Sequence, residues 1–250
     1  MIFLSEAFTR PKPMQYLAKA GFTQSYTYFT WRNTKQDITE YFSELADTGV
    51  REYLRPNLFV NTPDILHAYL QNGGRPAFEA RLILAATLGA SYGIYNGFEL
   101  VENRAVAGTE EYVDSEKYEI RHWDWDRPGH IKELVARLNA IRRRQRALHY
   151  DWTLQFHATD NPEIIAYSKT SPDGSSSVFV VVNLDPHHMQ HGWVQVPADW
   201  LRTVETGPDR NYIAHDLLDD VEYAWRGEWN YVRFDPGVRQ GHIFSLGSRP

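Results

Sequence analysis

The sequence predicts an α/β region followed by an all-β region: four βα units, half of a (β/α)8 barrel, and then an antiparallel β-sandwich. Three observations carry that expectation. Up to about Tyr150 short apolar runs alternate with helical patterns, which implies a parallel sheet with helical crossovers. Beyond Tyr150 short apolar runs are separated by Asp, Pro and Gly, and no helical period survives, as in a sandwich. The chain also opens on Ile2-Phe3-Leu4-Ser5-Glu6, an apolar run with a carboxylate at its tip. Barrel enzymes place catalytic acids at that point, past the end of a strand.

Taken in order, Ile2–Leu4 reads as the first strand, and Met14–Ala20 as a short helix preceded by Pro11 and Pro13. Ser25–Phe29 is rich in aromatic and β-favouring residues and reads as a strand. Asn33 or Thr34 then caps a helix to about Asp47, with Ile38, Tyr41, Phe42 and Leu45 on one face. Asn57–Val60 is the third strand. Helical patterns at Pro63–Gln71 and Pro76–Ala90 are broken at Gly73-Gly74, and Ser91–Tyr95 is the fourth strand. A polar loop, Asn103–Pro128, precedes a helix striped by Ile131, Leu134, Val135, Leu138 and Ile141. Ile164–Tyr167, Val178–Val182, Trp193–Val196 and Tyr231–Phe234 are the clearest sandwich strands, and a boundary is expected near residue 151. That divides the chain into 1–150, half of a catalytic barrel, and 151–250, the sandwich.

Composition excludes several classes. A formal net charge of -6 argues against a nucleic-acid surface. The absence of cysteine rules out a disulfide scaffold and fits a cytoplasmic protein. Neither a signal-peptide pattern nor an apolar run of membrane-spanning length occurs, and there is no glycine-rich phosphate loop.

Four side chains are candidates for chemistry. Glu6, between Ser5 and Ala7-Phe8, is expected to be partly desolvated, which would suit a general acid; an ion-paired Glu that orders a loop is the alternative. Asp64 follows the apolar run ending at Val60 and could stabilise positive charge on a sugar ring, or simply face the dipole of the next helix. Lys117 and Tyr118, in the polar loop, could hold sugar hydroxyls or could be solvated loop residues. Arg142-Arg143-Arg144 and Arg146 close a helix and read as structural, and His187-His188 with His191 read as a surface turn, not a metal site.

The segments Phe3–Pro11, Gly21–Arg32, Phe59–Leu66 and Ser115–Arg121, with Tyr92–Glu99, resemble the second half of the bacterial maltosyltransferases that use maltose 1-phosphate to extend α-1,4-glucan, within the α-amylase superfamily. Thr62-Pro63-Asp64 stands where ordinary amylases have Asn-His-Asp, which points to the maltosyltransferase branch. The resemblance implies that the four βα units are the second half of the (β/α)8 barrel, strands 5–8, that Glu6 is the general acid/base and Asp64 the transition-state stabiliser, and that Lys117 and Tyr118 are the pair that holds the donor. It implies a retaining mechanism without metal or other cofactor, with maltose 1-phosphate and α-1,4-glucan as substrates and a homodimer for the full-length enzyme. The nucleophile of that family is an Asp on the fourth barrel strand, upstream of Glu6. The chain is therefore expected to be a fragment, inactive and poorly stable alone. Another glucan-active member of the superfamily, a hydrolase or trehalose-forming enzyme, and a non-catalytic glucan-binding or assembly subunit are the other readings.

Overall fold

The structure, a computed structural model, describes residues 1–7, 9–115, 120–203 and 211–246. Its first part is a four-stranded parallel sheet in the order β1 (Leu4–Ser5), β2 (Gln24–Tyr26), β3 (Pro56–Phe59) and β4 (Ser91–Gly93). Ser5 pairs with Ser25 and Ser25 with Pro56, so the strands are in step and their C-terminal ends share one edge. Helices α1 (Pro11–Lys19), α2 (Lys35–Asp47) and α3 (Ala68–Leu88) make the crossovers, and α4 (Lys132–Arg144) follows β4.

Three of the four strands stop earlier than their apolar runs do, while the first, expected at Ile2–Leu4, is instead Leu4–Ser5. The expected strand Ser25–Phe29 ends at Tyr26 because Thr27 turns the chain: its hydroxyl accepts the Phe29 amide (3.4 Å) and caps a 3-10 turn over Tyr28–Trp31. Phe29 is then buried by packing rather than by pairing. Thr34 caps α2 as expected, accepting the Asp37 amide at 3.1 Å. The break in α3 falls at Gly74, whose φ of +58° lies in the left-handed region open to glycine. The helix expected from Pro63 starts only at Ala68, with the His67 ring accepting the Tyr69 amide.

From Ala77 to Leu88 every residue of α3 is buried, the pattern of a helix enclosed on all sides. One side is the parallel sheet. The other is a six-stranded antiparallel sheet, ordered β10 (Val221–Arg226), β9 (Asn211–Asp216), β12 (Gly241–Leu246), β7 (Ser177–Asn183), β6 (Ile164–Thr170) and β5 (Leu154–His157). Ile165, Tyr167, Val178, Val180 and Val182 on β6 and β7 share one core with Phe78, Leu82 and Ile83 of α3. Ile164, Ala166, Phe179 and Val181 face the other way, into a second core closed by β8 (Gln190–Gln195) and β11 (Trp229–Phe234). Burial on both faces explains the unbroken apolar run Val178–Val182. A short helix, α5 (Ala198–Thr203), interrupts the region expected to be free of helix.

Two polar contacts fix α3 to the six-stranded sheet. The Tyr167 and Thr87 hydroxyls lie 2.6 Å apart, and Lys169, wholly buried, donates to the Leu88 carbonyl at 3.0 Å. Arg142 at the end of α4 donates to the carbonyls of Ala86, Gly89 and Ala90, so the basic cluster does tie the end of α3.

Candidate active site

Glu6 follows β1 directly, and Asp64 lies in the loop after β3. Both leave the C-terminal edge of the same parallel sheet, with β2 between their strands, so the strands are about 10 Å apart. The expected desolvation of Glu6 is not found: its side chain is exposed, because β1 is the outermost strand of the described sheet and Ile2, Phe3 and Leu4 are exposed beside it. Its neighbour across the sheet is Tyr26. Burial raises the Tyr26 phenol pKa and the Glu6 carboxylate raises it further, so that hydroxyl keeps its proton.

Asp64 is held by a tight turn. Thr62 and Ile65 exchange backbone hydrogen bonds at 3.1 and 3.2 Å, and the Asp64 amide donates to the Thr62 hydroxyl at 3.3 Å. The carboxylate is exposed. It precedes α3 by four residues rather than sitting in the first turn, so the helix-dipole reading does not describe it.

Behind that turn is a buried network that the sequence reading did not single out. Asn61, fully buried, donates to the Tyr112 hydroxyl at 2.6 Å and accepts the Tyr95 amide at 2.9 Å. The rings of Tyr95 and Tyr112 lie 5.5 Å apart, and burial raises the Tyr112 pKa, so its hydroxyl stays protonated. Asn61 therefore joins three segments: the end of β3, the loop after β4, and the polar loop. The available signal was an Asn inside an apolar run, which needs partners when buried.

A second anchor is Glu102. Its carboxylate meets Arg104 and Arg121 at 3.0 Å and Arg127 at 3.2 Å. Burial pushes its pKa up, but the Arg104 hydrogen bond and the charges of Arg104 and Arg121 outweigh it, and the net direction is down. Arg121 also stacks on Trp123 at 4.0 Å, and Trp123 packs so closely on Gly97 (φ +92°) that a Cβ there would overlap the indole. Two further contacts brace the same edge: Trp31 donates its indole N–H to Glu110 at 3.1 Å, and buried Arg81 donates to the carbonyls of Phe29 and Arg32 at 2.6 Å. Lys117 and Tyr118 lie outside the described residues. Among the described residues no group of His, Asp and Glu is arranged to hold a metal ion, and no helix is long and apolar enough to cross a membrane. His188 instead pairs with Asp185 at 3.0 Å in the turn between β7 and β8.

An edge bearing two carboxylates, with a phenol beside one, can serve acid–base and charge-stabilising chemistry on a polyhydroxylated substrate. Known proteins bear on that reading. Residues 156–246 match the family described as GLGE, C-terminal. Over 256 aligned residues, 98% of this chain and 36% of the relative, the chain is 52% identical to the α-1,4-glucan:maltose-1-phosphate maltosyltransferase 2 of Streptomyces coelicolor. The maltosyltransferase of Myxococcus xanthus is 49% identical over 94% of the chain and 35% of its own length. The chain thus spans about a third of the curated relatives it matches. Among solved structures, an Anoxybacillus α-amylase superposes with a TM-score of 0.72 at 13% identity, covering 100% of this chain and 53% of that one. The α-amylase of Geobacillus thermoleovorans gives 0.71 at 12% identity, covering 100% and 54%. At that identity the likeness is one of fold: α-amylases share this half-barrel and sandwich.

Proposed function

From the homology of this chain to part of the α-1,4-glucan:maltose-1-phosphate maltosyltransferases, we propose that it carries half of the active site of such an enzyme. The observation that supports this most is the common origin of Glu6 and Asp64 at one edge of the parallel sheet. Glu6 protonates the departing phosphate of maltose 1-phosphate and then takes the proton of the attacking glucan hydroxyl. Solvent access suits a group that must change its protonation state in each half-reaction. Asp64 stabilises the positive charge that develops on the sugar ring, held in place by the Thr62–Ile65 turn and by Asn61 behind it. Lys117 and Tyr118 bind the donor. Retention requires a third carboxylate as nucleophile, supplied by a strand adjacent to β1 in the complete site.

The test is reconstitution. The purified chain with maltose 1-phosphate and maltohexaose is expected to release no phosphate. Joined to the complementary part of the Streptomyces coelicolor relative, it is expected to do so, and Glu6→Gln in that enzyme should lower kcat by about 10²- to 10⁴-fold. Phosphate release by the chain alone would refute the missing nucleophile, and an unchanged Glu6→Gln enzyme would refute the acid/base role.

A further inference from the structure

The small sheet of the sandwich, β8 with β11, turns one face inward and leaves the other open. Val194, Val232 and Phe234 enter the second core, while the alternate positions point out. Register pairs the outward residues in three rungs: Trp229 with Gln195, Tyr231 with Trp193, and Arg233 with His191. The three large rings are unusually open, with Trp193 48%, Tyr231 49% and Trp229 43% exposed. Successive rungs stand about 7 Å apart, so the face is about 14 Å long. The Trp193 and Tyr231 rings meet edge to face at 5.7 Å, and His191 lies 5.8 Å from Tyr231.

The strands behind the rings are fixed. Asp160 accepts the Trp193 amide at 2.7 Å, and its own amide donates to the Trp193 carbonyl at 3.2 Å. Gly192 permits that approach, since a Cβ there would overlap the Asp160 carboxylate. On the partner strand, buried Asn230 donates to the Tyr212 hydroxyl at 2.7 Å and accepts the Arg226 amide at 2.9 Å. Strands held in this way keep the three rungs in register, so little backbone freedom is lost on binding.

We propose that this face is a binding platform for α-1,4-glucan, separate from the site of chemistry. The proposal rests on the glucan-active reading above and adds a second place where the polymer is held. Sugar rings present apolar C–H faces that stack on aromatic rings and a rim of hydroxyls that needs donors and acceptors. Here each rung places at least one aromatic or imidazole ring beside a hydrogen-bonding group: Gln195, the Tyr231 hydroxyl, and Arg233 with His191. Only Arg233 among the six is permanently charged, so the face suits a neutral polymer and offers a polyanion a single fixed cation.

The experiment uses the full 250-residue chain in native gels containing glycogen, with maltoheptaose titrations followed by tryptophan fluorescence. Glycogen should retard the chain, and Trp193→Ala with Tyr231→Ala should weaken maltoheptaose binding by at least about tenfold. Trp193→Phe with Tyr231→Phe, which keeps the stacking faces, should retain most of it. Glu6→Gln with Asp64→Asn should leave in place the part of the binding that the alanine pair removes. Circular dichroism and Tm verify that each variant is folded. Binding that survives the alanine pair but disappears with the two carboxylates would place the glucan in the catalytic hollow: it would overturn the platform and leave the proposed activity standing. Equal binding of cellohexaose, no binding by the folded parent, or a self-association lost in the alanine pair would each overturn the platform as well. If the platform binds glucan and the reconstituted enzyme transfers nothing, the platform stands and the maltosyl reading fails.

Discussion

The parallel sheet and the six-stranded sheet of this molecule draw on similar residues and are secured in different ways. The parallel strands are two to four residues long, and the outer edge of β1 has no partner strand among the described residues. In the six-stranded sheet the strands are four to seven residues long, and its central pair is buried on both faces. The two proposed catalytic carboxylates are attached to the thinner sheet, while the thicker one supports it from below through α3. The rigidity of the proposed site therefore comes from two sources: the floor under α3, and the side-chain networks around Asn61 and Glu102 at the loop end.

The largest test of that division is at the floor. Lys169 and Asp151 are both drawn into the interface between α3 and the six-stranded sheet. Burial lowers Lys169 to about 8, with the Asp151 charge opposing, and burial raises Asp151, with Lys169 and the Ala90 amide opposing. Lys169→Met leaves the buried Leu88 carbonyl without its donor and removes one of the cations that offset the burial of Asp151, and should cost about 3 kcal/mol in urea unfolding. Asp151→Asn in the same chain should recover part of that loss. Because α3 shares one core with the parallel sheet and with β6 and β7, whose other faces enter the second core, the chain is expected to lose stability as one transition. Two separate transitions, with the parallel sheet unaffected, would break the comparison at its root. The pH sign follows from the lowered pKa. Between about 8 and the ordinary lysine value the unfolded chain binds the proton that the folded chain releases, so stability rises with pH across that window and the Met variant loses the rise.

A smaller and more local effect is expected at the loop end. Glu102→Gln keeps the shape and removes the charge that gathers Arg104, Arg121 and Arg127, at a cost of about 2 kcal/mol. If the loop end is an independent support, the loss should appear as faster amide exchange around residues 97–115 and 120–127 with little change in the sandwich. The lowered Glu102 pKa means its contribution is present above the unfolded carboxylate value and is lost as pH falls through the folded one. The same exchange pattern should therefore emerge in the parent chain on acidification.

How much of this was legible in the sequence follows the same division. Strand–helix alternation gave the parallel sheet and its order, since period and spacing are local properties. Strand ends were overrun at Phe29, Val60 and Tyr95 because apolar residues beyond a strand can be buried without being paired, as Phe29 is under Arg81. Glu6 and Asp64 were visible as carboxylates past apolar runs. Asn61, Tyr112 and Glu102 were not, because their partners lie up to 51 residues away and only the fold brings them together. The outward aromatic rungs of β8 and β11 were equally hidden: 14% aromatic residues suit cores as well as sugar platforms, and only burial separates the two uses.

The smallest test sits where the two sheets meet from the side. Thr34 accepts the Asp37 amide at 3.1 Å and donates to its carboxylate at 2.7 Å, while Lys35, the next residue, reaches into the sandwich to bond the Thr159 hydroxyl and the Asn161 carbonyl (3.2 Å). Thr34→Ala should cost about 1 kcal/mol, the usual worth of an N-cap, and Thr34→Ser should restore it. What matters is its additivity with Lys35→Ala. If α2 is braced only by its own cap, the two losses add to within about 0.5 kcal/mol. If the cap also aims Lys35 at the sandwich, the double variant loses less than the sum, since removing the cap has already loosened the lysine. Sub-additivity would make α2 a second strut between the thin sheet and the thick one, and simple addition would leave α3 to carry that role.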